Sequence, residues 1–215
     1  MAKAKEIIRH AQNRFCHHSL GTQILIKTVG VEPLGRRITA NDHDSMWQKT
    51  KQLLLKSPRA DLVVYIAATD NRGYAGIAPV SSACAPDNGR VNFNGRQLTF
   101  ANIKDSINEY GRSASLTGTI VAHEVGHNLG MYHNEQKCGG TINNSIMNAI
   151  VPNGQSPVWS RCDKNEFRAH WRAGCLKGKF QLTLRTWIDI LLREMSGSNL
   201  ENQSKPVSCW KKLIN

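Results

Sequence analysis

Hydrophobic and polar positions recur with two different periods along this chain, and each change of period marks a new element. Residues 5–15 set Ile7, Ile8, Ala11 and Phe15 on one side at helical spacing, which predicts an amphipathic helix. Residues 23–34 read as a strand in which Ile24, Ile26 and Val29 bracket polar positions, closed by Pro33-Leu34-Gly35. A second helix is expected over residues 42–56, with Met46, Leu53 and Leu54 turned inward. Leu62–Ala67 is an unbroken apolar run, the signature of a buried strand, and a Gly-rich turn follows at residues 70–73. Residues 84–98 are rich in Asn, Gly and Arg, with turn signals at Asn88-Gly89 and Asn94-Gly95. A third helix is predicted over residues 115–129, anchored by Leu116, Ile120, Val121 and Val125. Near the end of the chain Leu184, Trp187, Ile188, Leu191, Leu192 and Met195 recur at helical spacing, giving an amphipathic helix that stops at Ser196-Gly197-Ser198. It reads as a helix packed on the rest of the chain. The alternative, a membrane-surface or partner helix, has too few lysines and arginines on its polar face.

The third helix carries the chemistry. In His123-Glu124-Val125-Gly126-His127 the two histidines are four residues apart, so their rings leave one helix face and can meet a single ion. Glu124 is placed awkwardly for a third ligand but well for a general base that hydrogen-bonds water at the metal. Gly130 can end the helix in the left-handed conformation, and the reversed chain can return His133 to the same ion. His123, His127 and His133 would leave a fourth position for water. The plain alternative is an amphipathic helix with solvated histidines. His10, His17, His18, His43 and His170 have no comparable spacing and read as structural or surface residues.

The extended motif resembles the metzincin clan of zinc endopeptidases, in its adamalysin (reprolysin) branch. Asn144-Ser145-Ile146-Met147, with Met147 fourteen residues after His133, is similar to the clan's Met-turn, a methionine beneath the zinc-binding histidines. Astacins reach a similar sequence much farther downstream and follow it with tyrosine where Asn148 stands here; matrixins reach their methionine sooner. Leu20-Gly21-Thr22, residues 60–64, Gly76-Ile77-Ala78 with Cys84, and Trp159-Ser160-Arg161-Cys162 are similar to successive landmarks of the adamalysin catalytic domain. The resemblance implies an α/β (α+β) fold: a mixed twisted sheet with an antiparallel edge strand, an active-site helix, and a small C-terminal subdomain carrying the Met-turn. It covers residues 1–176, with the family's first strand expected to be missing, and leaves 177–215 as a C-terminal extension with the amphipathic helix.

By the same resemblance the chain is expected to be a zinc-dependent endopeptidase that hydrolyses protein or peptide substrates with a metal-activated water and Glu124 as base. One catalytic zinc is implied; a structural calcium has no supporting motif. Residues 90–100 are the candidate for the strand on which a peptide substrate pairs, the alternative being a simple surface hairpin. Ile150, Val151 and Pro152 would form an apolar wall for the residue after the scissile bond. Departures from the family pattern bear on this reading. Asn134 stands where adamalysins place an aspartate, keeping hydrogen-bonding capacity but losing charge. That change, with the absence of the family's short disulfide and of its first strand, favours the competing reading of a metalloprotease-like binding or adhesion module, against which the intact Glu124 counts.

Six cysteines indicate an oxidising compartment, since none shows the Cys-x-x-Cys spacing of a structural zinc or redox site. The resemblance implies bridges Cys84–Cys175 and Cys138–Cys162. A further short bridge of the family falls at Gly140 or a neighbour and at Ser145, so both halves are absent together. Cys16 and Cys209 are left to pair, stay free or find other partners.

The chain of 215 residues suits one catalytic domain with an extension, and a monomer is expected. Its net charge of +12 and pI near 9.7 favour polyanionic glycans or other anionic surfaces over nucleic acid, for which no specific motif exists, or mark merely a soluble basic surface. A secreted, extracellular protein is expected. Yet residues 1–6 begin with charge and lack the apolar run of a signal peptide, and no pro-segment precedes the domain, so a fragment or processed form is the expectation. No stretch has the roughly 20 apolar residues of a transmembrane helix. Asn143 and Asn202 begin glycosylation sequons, the first beside the expected Met-turn.

Overall fold

The computed structural model describes residues 2–56, 60–68, 73–93, 95–151, 156–172 and 182–190. Its elements run α1 (Ala2–Phe15), β1 (Ile24–Pro33), α2 (His43–Lys56), β2 (Leu62–Ala67), β3 (Gly76–Ile77), β4 (Arg90–Phe93), β5 (Arg96–Thr99), β6 (Asp105–Glu109), α3 (Ala114–Asn128), α4 (Asn134–Lys137), α5 (Arg161–Arg172) and β7 (Leu182–Ile190).

Five strands form one sheet in the order β1-β7-β2-β6-β3, parallel throughout except at the β3 edge, which is antiparallel to β6. Side chains on a strand point alternately to its two faces, and β2 shows both faces covered. Leu62, Val64 and Ile66 join a core with Ile7, Ala11 and Phe15 of α1 and Val121, Ala122 and Val125 of α3. Val63, Tyr65 and Ala67 join a second core with Met46, Leu53 and Leu54 of α2. All six residues are buried, which is why their sequence reads as an unbroken apolar run. The mixed sheet with its antiparallel edge and flanking helices is the α/β architecture expected from the sequence.

Helices α1, α2 and α3 lie within a few residues of their expected bounds, with the expected residues inward. Leu116 is only partly buried. Two expectations are corrected. The segment at residues 90–100 does not join the main sheet: β4 and β5 pair only with each other, Arg90 opposite Thr99 and Phe93 opposite Arg96, as a separate hairpin. The exposed edge beside α3 is the two-residue β3 instead. The second correction is β7. Leu182–Ile190 is a strand and not the expected helix, and it occupies the slot between β1 and β2, parallel to both. Leu184 and Ile188 fit an alternating pattern as well as a helical one, so periodicity could not decide; β1 offers a partner along the whole segment and β2 one along residues 186–190, and that pairing decides it. Leu191, Leu192 and Met195 fall outside the described residues, as do residues 70–72 of the expected turn.

Cys138 and Cys162 are disulfide-bonded, with Cα atoms 6.0 Å apart, tying α4 to α5. Cys16 is also in a disulfide, and no cysteine is free among the described residues. The expected Cys84–Cys175 bridge involves Cys175, which lies outside them. No helix among the described residues is long and apolar enough to cross a membrane.

Candidate metal centre

Helix α3 starts at Ser113, whose hydroxyl accepts the Leu116 N–H at 3.2 Å, an N-cap that the Ser-Ala-Ser-Leu sequence encodes. It ends where Gly130 takes φ +98°, a conformation that strains any side chain with a Cβ. Gly130 N–H donates to His127 O at 2.8 Å and Met131 N–H to Gly126 O at 3.0 Å, the paired bonds of a glycine-closed helix end. The chain therefore turns back sharply, and His133 returns beside the helix it has just left.

The three histidines converge. Their Nε2 atoms lie 3.1 Å apart in every pair: His123 to His127, His123 to His133, and His127 to His133. His123 Nδ1 is 2.7 Å from Ile146 O and His127 Nδ1 is 2.7 Å from Met131 O, so each ring spends its one neutral-form proton on a carbonyl. Both Nε2 atoms then present bare lone pairs to each other, which is repulsive without a cation between them. Burial pulls His123 down to about 4, opposed by its Ile146 bond and aided by His133. It pulls His127 down to about 3, with His123 adding to the shift and the Met131 bond opposing it. Burial lowers half-buried His133 as well, against the raising charge of Glu135. Neutral imidazoles with converging lone pairs are what a zinc ion requires: two nitrogens about 2.05 Å from one tetrahedral ion stand roughly 3.3 Å apart, close to the separation here. No other group of three ligand side chains converges this way among the described residues.

Glu124 lies on the same helix, nearly inaccessible, with Oε1 4.0 Å from His123 Nε2. Burial pushes its carboxyl up to about 8. The edge strand comes close on this side: a Cβ on Gly76 would lie 2.5 Å from Glu124 Oε1, so only glycine leaves that carboxylate its room.

Met147 is fully buried in the core that contains Val125 and Leu129, and its carbonyl accepts the Asn134 N–H at 3.0 Å. Asn134 is 0% exposed and its Nδ2 donates to Asn148 Oδ1 at 2.9 Å. Asn148 is itself bound on both sides to the Ile142 backbone, accepting its N–H at 3.0 Å and donating to its carbonyl at 2.7 Å. The two asparagines are thus a matched donor and acceptor, which an aspartate at 134 would not be. The sequence pointed to Asn134 but not to its partner. Ile150 is 86% exposed, and Pro152 of the expected apolar wall lies outside the described residues.

Of the remaining histidines, His43 is buried and bound through Nε2 to Asp105 Oδ1 at 2.9 Å, in a cluster with Thr50 and Tyr65. Burial pulls it down, but the hydrogen bond and charge of Asp105 and the charge of Asp44 outweigh that and hold it above the usual imidazole range. His10, His17, His18 and His170 lie outside the triad. Two supporting groups escaped the sequence reading. Asn128 donates to Pro79 O, Ser82 Oγ and Asp105 O, joining the end of α3 to the loop after β3 and to β6. Asp163 accepts the Ser145 hydroxyl, and its only sequence signal is the Ser-x-x-Asp pattern of a helix start at residues 160–163.

Compared with known proteins, residues 13–134, more than half of the chain, match the family described as metallo-peptidase family M12B, reprolysin-like. The match takes in Glu124 and the three histidines and ends before Met147. A zinc metalloproteinase/disintegrin of Gloydius halys is 29% identical over 125 residues, which are 58% of this chain and 22% of that protein. The chain thus spans about a fifth of that relative. A solved structure of a chaperone–substrate complex is similar over 79% of this chain and 34% of its own, with a TM-score of 0.47 and 18% identity.

Proposed function

This chain belongs to the reprolysin-like M12B metallopeptidase family, and from that premise we propose that it is a zinc-dependent endopeptidase in which His123, His127 and His133 hold one catalytic zinc ion. The observation that carries the reading is the set of three Nε2 atoms 3.1 Å apart, two of them on rings whose only neutral-form proton is committed elsewhere. A zinc ion bound there supplies Lewis acidity, which polarises a carbonyl and acidifies water. Glu124 Oε1 takes the proton of the attacking water and delivers it to the departing amine nitrogen, so water adds across the peptide bond and no acyl-enzyme forms. The carbonyls of Ile146 and Met131 keep His123 and His127 in the tautomer that leaves Nε2 free. A substrate strand pairs along β3, the edge nearest Glu124, rather than along the β4–β5 hairpin. The protein works in an oxidising, extracellular setting, a reading supported by the Cys138–Cys162 bridge.

The test combines zinc analysis with cleavage of a denatured protein, with and without chelator. One zinc per chain and chelator-sensitive cleavage are expected. Glu124→Gln should keep the zinc and lose about 10²–10⁴-fold in rate. Cleavage at the parental rate in that variant would remove Glu124 from the mechanism. A second reading, a binding or adhesion module that retains the fold without turnover, draws on the uncharged Asn134; full zinc loading without any cleavage would favour it.

A further inference from the structure

We propose that Asp163 is a positioning residue for the metal centre, acting through Ser145 to hold the Ile146 carbonyl against His123. The inference rests on the zinc reading above and adds to it a residue thirty positions beyond the last histidine.

It begins with a helix start. Ser160 and Asp163 flank the first turn of α5 as a reciprocal cap: Ser160 Oγ accepts the Asp163 N–H at 3.1 Å, and Asp163 Oδ2 accepts the Ser160 N–H at 2.6 Å. The cap needs nothing more. Yet the same Oδ2 takes a second hydrogen bond, from the Ser145 hydroxyl at 2.8 Å, across eighteen residues of sequence. Asp163 is 0% exposed and Ser145 1%, so the link is made out of contact with solvent, where a bond to a charged acceptor is strongest. The other carboxylate oxygen, Oδ1, is buried with no partner among the described residues. That is a costly residue to place at a helix cap alone, since a neutral acceptor would serve there.

The Ser145 end leads to the metal. With its proton given to Asp163, Ser145 Oγ accepts the Met147 N–H at 3.2 Å. The residue between them is pinned on both sides: Ile146 N–H donates to Val158 O at 2.9 Å, and Ile146 O accepts His123 Nδ1–H at 2.7 Å. The carbonyl that fixes the tautomer and tilt of His123 therefore belongs to a turn clamped by Ser145, Asp163 and Val158. Ser145 also stands where the family resemblance places half of a short disulfide. In this chain the turn is tied down there by a hydroxyl–carboxylate bond to the start of α5.

Zinc dissociation constants, measured by chelator competition, and the visible absorption of the cobalt-substituted protein test this with four variants. Ser145→Ala and Asp163→Ala should each weaken zinc about 10–100-fold and shift the cobalt bands, the range typical for groups that orient a metal ligand. Ser160→Ala breaks the cap but spares the Ser145 link, so it should lower Tm while leaving zinc affinity and cobalt bands at parental values. Asp163→Asn keeps a weaker, neutral acceptor for Ser145 and should fall between the parent and Asp163→Ala in zinc affinity, a partial rescue that remains informative if Asp163→Ala does not fold. Parental zinc affinity and cobalt bands in Ser145→Ala would overturn the proposal, as would an equal loss in Ser160→Ala. If the parent itself binds no zinc, the metal reading falls and this inference with it; if the parent binds and Ser145→Ala is indifferent, only this inference falls.

Discussion

The chain up to Gly130 and the stretch from Met131 to Arg172 are built by different means. Before Gly130 four strands of the main sheet, β1, β2, β3 and β6, and three long helices bury two apolar cores, and β2 contributes all six of its side chains to them. After it, among the described residues, the buried polar side chains Asn134, Ser145, Asn148, Ser160 and Asp163 are nearly as many as the buried apolar Met131, Ile146, Met147, Pro157, Trp159 and Phe167. Regular structure there is limited to the four-residue α4 and to α5, with one isolated bridge between Ser145 and Val158. Apolar burial is non-directional and sets where elements lie, whereas hydrogen bonds specify which atom faces which. The candidate metal centre draws on both. His123 and His127 inherit their spacing from a helix, while His133 and the carbonyl that orients His123 come from the hydrogen-bonded stretch.

The contrast is broken most severely through the sheet. Thr186 pairs with Thr28 on one side and Leu62 on the other, so Thr186→Pro removes a backbone donor from a central strand. It should cost about 3 kcal/mol or more in denaturant unfolding and abolish zinc binding with the fold. A Pro variant as stable as the parent would take β7 out of the sheet. A smaller effect sharpens the other side. Asn134→Asp restores the family's usual residue, but a carboxylate cannot donate to Asn148 Oδ1 and would be buried beside it. Stability should fall by about 1–3 kcal/mol, with zinc affinity falling too; a gain in either would show the matched asparagines to be incidental.

The smallest effect depends on pH and belongs to the region before Gly130. His43 is held above its ordinary value of 6.5, so its partnership with Asp105 stabilises the fold fully below that value and is lost as pH rises through the higher folded-state value. Tm should therefore decline as pH is raised from about 6.5, and His43→Gln should flatten that decline. A steeper decline in the variant would reverse the assigned sign.

The same division explains what could be read from the sequence. Helical periodicity located α1, α2 and α3, and the His123-Glu124-x-x-His127 spacing with Gly130 pointed to the three histidines that converge, because each is a local pattern with a fixed geometric meaning. The place of β7 was hidden because a short apolar segment fits either period, and only the gap between β1 and β2 selects the strand. The β4–β5 hairpin was misassigned because turn signals mark a hairpin without saying what its edges meet. Asn148 and Asp163 act across 14 and 18 residues through single hydrogen bonds, and such partners leave no periodic trace.

X-ray absorption at the zinc edge of the purified protein addresses the metal centre most directly. Three imidazole nitrogens at about 2.0–2.1 Å with one further light ligand are expected, and the imidazole count should fall to two in His133→Ala. Sulfur in the coordination sphere, or an unchanged spectrum without His133, would contradict a zinc held by His123, His127 and His133.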